Sequence, residues 1–173
     1  MSLGAFLQES HRLLEEAGIA HALIGGFAMA ALGHARATND VDFLVNGDYR
    51  QQILSIFQDA GFEVFYSSDE VLQLSREHPL DLLFAHRPLA REMLERAATL
   101  PTYRGIPVLD ATDIVGLKIQ AYKNDPKREL AELADILKLV ELCPNLNHER
   151  IIRYAELFKE EKRVKSLLGN KTL

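Results

Sequence analysis

The 173-residue sequence has one cysteine, Cys143. That excludes an intramolecular disulfide and a cysteine-built zinc cluster within one chain. It also fits a reducing, cytoplasmic setting. Long apolar runs are missing: none approaches the ~20 residues that a membrane helix needs. The start, MSLGAFLQES, has neither the basic nor the apolar region of a signal peptide, so none is expected. Lysine is absent from the first 110 residues, which carry 8 arginines against 15 acids, net −7. All eight lysines lie at or beyond Lys118, and residues 111–173 are net +2. The total of −5 argues against a generally basic nucleic-acid binder. An acidic first part followed by a lysine-bearing second part suits a metal together with an anionic ligand. It suits ordinary solvated helix faces as well. No internal repeat, low-complexity tract or linker interrupts the chain. The histidines lack ligand spacing: His21, His34, His78, His86 and His148 are isolated, and His11 is expected on an exposed helix face.

What remains is an ordinary folding composition, 47% hydrophobic and 26% charged. The length suits one compact domain, with an α/β core over 1–110 and a C-terminal helical part over 111–173 packed on it. Phe6, Leu7, Leu13 and Leu14 share one face of a helix over 3–17, stopped by Gly18. A strand over 21–24 ends in Gly25-Gly26, and a short helix over 27–32 follows. Strands are predicted over 41–45, 62–66, 71–75 and 80–84, with a helix over 49–60 between the first two. A helix over 88–97, a weak strand region over 103–109, and helices over 112–122, 127–142 and 148–168 complete the chain. The fold class is therefore α+β, a mixed sheet with flanking helices and a helical C-terminal part.

The chemistry is concentrated in Gly25-Gly26 and in Asp40-Val41-Asp42. Carboxylates at i and i+2 of a strand share one face. Two like charges on one face of an apolar strand repel and are costly to desolvate. A divalent cation compensates them, with substrate phosphates and water supplying further oxygens. The glycine pair lets backbone N–H groups approach a phosphate where strand turns into helix. Asp81, in the otherwise apolar run Leu80 to Phe84, is a third carboxylate fit to take a proton from an attacking hydroxyl or to ligate the metal. Blander roles stand beside these. Asp81 can be a strand acid paired with an arginine, and Arg36 and Thr38 can simply order their loop. Lys118 can be a surface lysine, and Asp135 can pair with Arg128 or Lys138.

Gly25-Gly26, Arg36-x-Thr38-x-Asp40-Val41-Asp42 and the later Asp81 resemble the nucleotidyltransferase superfamily with the DNA-polymerase-β type of fold. Within it the chain looks like small bacterial AbiEii-like toxin and minimal nucleotidyltransferases. The resemblance runs from about residue 20 to 140, and includes Gly116 to Ala121 around Lys118 and Ala131 to Ile136 around Asp135. It departs where relatives carry Lys-Asp and this chain has Ala131-Glu132. The resemblance implies a cytoplasmic enzyme that moves a nucleoside monophosphate from a triphosphate such as ATP to a hydroxyl on protein, RNA or a small molecule. Its cofactor would be Mg²⁺ or Mn²⁺ on Asp40, Asp42 and Asp81, and its nucleotide contacts Gly25, Gly26, Arg36, Thr38 and Lys118. A toxin–antitoxin role with an antitoxin-like protein partner is a further implication. A catalytically silent binding module and a nucleotide-sugar transferase are the competing readings.

Overall fold

The computed structural model describes residues 1–169. By contact density they form two compact units: residues 1–31 with 35–109, and residues 32–34 with the chain from Asp110 onward.

The first unit is built on a seven-stranded mixed sheet. Its strands are β1 (His21–Leu23), β2 (Val41–Asn46), β3 (Glu63–Ser67), β4 (Val71–Ser75), β5 (Pro79–Ala85), β6 (Ala98–Thr99) and β7 (Pro107–Val108). They lie side by side in the order β3-β4-β5-β2-β1-β7-β6. β2 runs parallel to β5 and β1 to β7, whereas β1/β2, β3/β4, β4/β5 and β6/β7 are antiparallel. Alternation divides the central strands into two faces. Val41, Phe43 and Val45 of β2, Leu80, Leu82 and Phe84 of β5, and Leu72 and Leu74 of β4 are buried. Their face is covered by α1 (Leu3–Glu16) and α3 (Arg50–Asp59), whose Phe6 and Phe57 rings both meet Phe62 just before β3, while His11 of α1 meets His21 of β1. The opposite face carries Asp42, Asp81 and Gln73, all part-exposed. The other helices of this unit are α2 (Gly25–Ala31) and α4 (Pro88–Arg96).

α1 starts on a Ser2 N-cap, whose hydroxyl accepts from the Ala5 N–H. Its apolar stripe contains a histidine. His11 is 6% exposed, not on an outer face as expected, because it follows Leu7 by four residues and precedes Leu14 by three. Its Nδ1 lies 2.7 Å from Nε2 of His21, also buried, and the Nδ1–H of His21 donates to the Ile19 carbonyl. Burial lowers both imidazole pKa values.

The second unit is helical: α5 (Ala111–Asn124), α6 (Glu129–Leu142), α7 (His148–Leu157) and α8 (Glu161–Leu168). The helix expected over 148–168 is interrupted after Leu157, where Lys159 takes a positive φ of 58° that no α-helix continues through. Asp110 and Asn147 cap α5 and α7. Gly116, costly in a helix interior, leaves room for the Tyr154 ring, 2.5 Å from where a Cβ would sit. Tyr154 donates to the fully buried Asp113, which Arg150 also approaches. Cys143 is half-buried at the end of α6. Among the described residues no helix is long and apolar enough to cross a membrane.

Candidate active site

The site residues of the first unit cluster at the junction of β1, α2 and β2 and extend across β5 to β4. β2 and β5 run in register, so Asp42 lies opposite Asp81. Gln73 of β4 lies opposite Asp81 on the other side, and its Nε2–H donates to Asp81 Oδ2 at 3.0 Å. Asp42, Asp81 and Gln73 thus form one row on one face, each about 4.8 Å from the next in backbone spacing.

Gly25 and Gly26 fit against this row. Gly25 has φ +60°, and a Cβ there would collide with the Asp42 carboxylate. A side chain at 25 is therefore excluded twice, by backbone conformation and by space. Gly26 is tight for another reason: a Cβ would come within 2.6 Å of the Thr38 side chain. Thr38 in turn donates its hydroxyl to Asp40 Oδ1 at 2.5 Å. Each glycine seats one part of the acidic pair, Gly25 directly against Asp42 and Gly26 through Thr38 to Asp40. The backbone seals the corner, since the Ile24 N–H donates to the Asp42 carbonyl at 3.0 Å. Arg36 is exposed on the loop before β2.

Asp42 and Asp81 in register supply the oxygens that a magnesium-sized cation takes from protein, one or two carboxylates with phosphate and water completing the shell. Among the described residues no three His, Cys, Asp or Glu side chains converge as a ready metal cluster. Asp40 stands beside the pair, held by Thr38.

Lys118 belongs to the second unit and is 6% exposed. Its ammonium donates to Glu132 at 2.8 Å and to Asp135 at 2.6 Å, both on α6 and both buried. Arg128 holds the other oxygen of Glu132, and His34 Nε2 lies 3.7 Å from Asp135. Glu132, a departure from the family pattern, therefore takes part in the same ion cluster as Asp135. Gln73 was not singled out in the sequence, because only the β4/β5 register places it at Asp81.

No family model matches the chain, and neither does any curated protein. Solved structures do. The solution structure of the antibiotic-resistance factor ANT(2'')-Ia superposes with a TM-score of 0.67 at 14% identity, over 94% of each chain. The crystal structure of ANT(2'')-Ia in complex with adenylyl-2''-tobramycin gives 0.66 at 15%, over 94% of this chain and 99% of that one. An antigenic nucleotidyltransferase-like protein from Paracoccidioides brasiliensis gives 0.59 at 20%, over 98% and 93%. At these identities the likeness is one of architecture. The mixed sheet, the crossover that sets β5 parallel to β2, and the helices that follow are the fold that this chain shares with these solved structures.

Proposed function

We propose that this chain is a nucleotidyltransferase, which moves a nucleoside monophosphate from a nucleoside triphosphate to an acceptor hydroxyl. The observation that carries the reading is the in-register pair Asp42–Asp81 on two strands that are otherwise largely apolar, with Gly25 packed against one carboxylate. A cation held between two facing acids would relieve their repulsion.

Asp42 and Asp81 are the residues that would hold Mg²⁺ or Mn²⁺, which when bound would neutralise phosphate charge and orient the triphosphate, and Asp40, held by Thr38 beside them, is the third carboxylate that the family resemblance assigns to the metal. The amides of Gly25 and Gly26, with Arg36 and Thr38, are assigned to the phosphates. The acceptor oxygen forms a bond to the α-phosphorus, the bond to the bridging oxygen breaks, and pyrophosphate leaves with that electron pair. Asp81 accepts the hydroxyl proton, and its Gln73 hydrogen bond fixes the direction of the carboxylate. A triphosphate contact by Lys118 comes with the family resemblance alone, since its ammonium donates to Glu132 and Asp135 within the second unit. ATP as donor, a toxin role with an antitoxin-like partner, and a cytoplasmic setting come with the family resemblance.

Incubation with α-labelled triphosphates, Mg²⁺ and fractionated cell extract tests the reading. Label should enter one acceptor fraction with release of pyrophosphate, and both should vanish with EDTA. No labelled fraction with any of the four triphosphates contradicts it.

A further inference from the structure

The row that ends at Gln73 continues one strand further. In the pairing of β3 with β4, Glu63 opposes Ser75, Val64 opposes Leu74 and Tyr66 opposes Gln73, with a register shift between Val64 and Tyr66. Phe65 is the extra residue of a β-bulge. A bulge sets two residues of one strand against one of its partner, and it re-aims side chains at sheet edges and beside active sites. Here Phe65 and Tyr66 are both set against Gln73, the residue that donates to Asp81. Both are surface aromatics: Phe65 is 84% exposed and Tyr66 52%. Exposure of this degree contributes little to the fold, and paired exposed aromatics beside a polar row point to a ligand surface.

The geometry also gives the direction of approach. On its β1 side the row is closed, because Gly25 is packed against the Asp42 carboxylate and the Ile24 N–H is bonded to the Asp42 carbonyl. On its β3 side it runs out to the sheet edge, since β3 is the terminal strand and all five of its residues are exposed. A hydroxyl presented to Asp81 therefore arrives over Gln73, and whatever carries that hydroxyl extends over Phe65 and Tyr66. The backbone of Tyr66 is two strands from that of Asp81, about 10 Å, the span of one or two rings. A glutamine amide offers two N–H donors and a carbonyl. One N–H serves Asp81, and the others can hold neighbouring hydroxyls. Charge narrows the class further. Residues 1–110 carry no lysine and are net −7, which opposes phosphates beyond those that a cation bound with the triphosphate would neutralise.

We propose that the acceptor is a small ring-bearing alcohol without phosphate groups, and that it docks on the strip Phe65–Tyr66–Gln73 with its ring on the two aromatic side chains and its hydroxyl at Asp81. This rests on the nucleotidyl-transfer reading above. The strip is an acceptor subsite, separate from the nucleotide contacts, so its loss weakens acceptor binding and spares the triphosphate.

The test uses the full chain and α-labelled triphosphates with three extract fractions: small-molecule filtrate, total RNA and protein. Wild type should label a component of the filtrate. The Phe65→Ala/Tyr66→Ala double variant should need at least about tenfold more filtrate for half-maximal rate, the size of a good stacking contact. Its rate at saturation and its triphosphate affinity should stay at wild-type values. Tyr66→Phe, which keeps the ring, should restore most of the acceptor affinity relative to Tyr66→Ala. Melting temperatures identify any variant that has unfolded, and Tyr66→Phe then carries the comparison with Phe65→Ala alone. Unchanged half-saturation in the folded double variant overturns the proposal, as does label in RNA or protein. A wild type that labels no fraction overturns the nucleotidyl reading itself, and the proposal with it.

Discussion

A methyl group at position 25 has nowhere to go: the Asp42 carboxylate occupies its place, and φ is +60°. Gly25→Ala is therefore expected to cost about 1 kcal/mol or more in stability, since Ala tolerates positive φ poorly. Because it also displaces Asp42, transfer should fall by roughly 10²-fold, the scale of a 1 Å misplacement in an active site. Melting curves and pyrophosphate release measure the two effects, and a fully active Gly25→Ala contradicts the packing described. The sequence carried part of this. Asp40 and Asp42 two apart, with a glycine pair upstream, are legible from side-chain period alone. The tight approach of Gly26 to Thr38, and the bond from Thr38 to Asp40, are not, because they depend on how the loop over 32–40 folds back. Gln73 was hidden for the same kind of reason. Its partner Asp81 is eight residues away, and only the β4/β5 register makes them neighbours.

At the scale of elements, two contacts carry expectations that an exposed residue would not. Lys118 joins α5 to α6 through two buried carboxylates. Lys118→Met leaves Glu132 and Asp135 without their buried cation, which should lower stability by roughly 3–5 kcal/mol even with no nucleotide present. Chemical denaturation of the wild type and the variant checks this. An unchanged midpoint would show the lysine to be only a ligand contact. The second contact ties α1 to β1. The Nδ1–H of His21 is given to the Ile19 carbonyl, so its Nε2 accepts from His11 Nδ1. Both folded imidazoles take protons at lower pH than free histidine does, because burial disfavours the charged ring, with Glu15 opposing that for His11. In the unfolded chain they protonate near pH 6.5. The unfolded state therefore binds more protons below that point, and stability is lost as pH falls through it. The melting temperature should drop between pH 7.5 and pH 5.5, and the drop should be shallower in His11→Gln/His21→Gln. Equal slopes would contradict the buried pair. Here the helical spacing was informative and the residue type misleading: position 11 falls on the stripe of Leu7 and Leu14, and a polar side chain there was read as an outward one.

At the scale of the molecule, most elements were legible from periodicity and caps. The misses have local causes: the break at Lys159, a non-glycine residue at positive φ, and the two-residue strand β6, which has too little sequence to show a period. Strand order was out of reach, because it depends on non-local pairing. It is strand order that sets Asp81 beside Asp42 and makes one candidate site of two acids far apart in sequence. The role proposed for this row is to bind a triphosphate with its metal and to activate a hydroxyl. The most direct measurement is titration calorimetry of Mg²⁺ with a non-hydrolysable triphosphate, for the wild type, Asp42→Asn and Asp81→Asn, beside melting curves of all three without metal. Nucleotide binding should depend on metal in the wild type and be lost in Asp42→Asn. Asp42→Asn should stay folded without metal, because the amide keeps the shape of the carboxylate and its charge is not what holds the sheet together. Metal-free unfolding of Asp42→Asn, or nucleotide binding equal to wild type, would contradict that role.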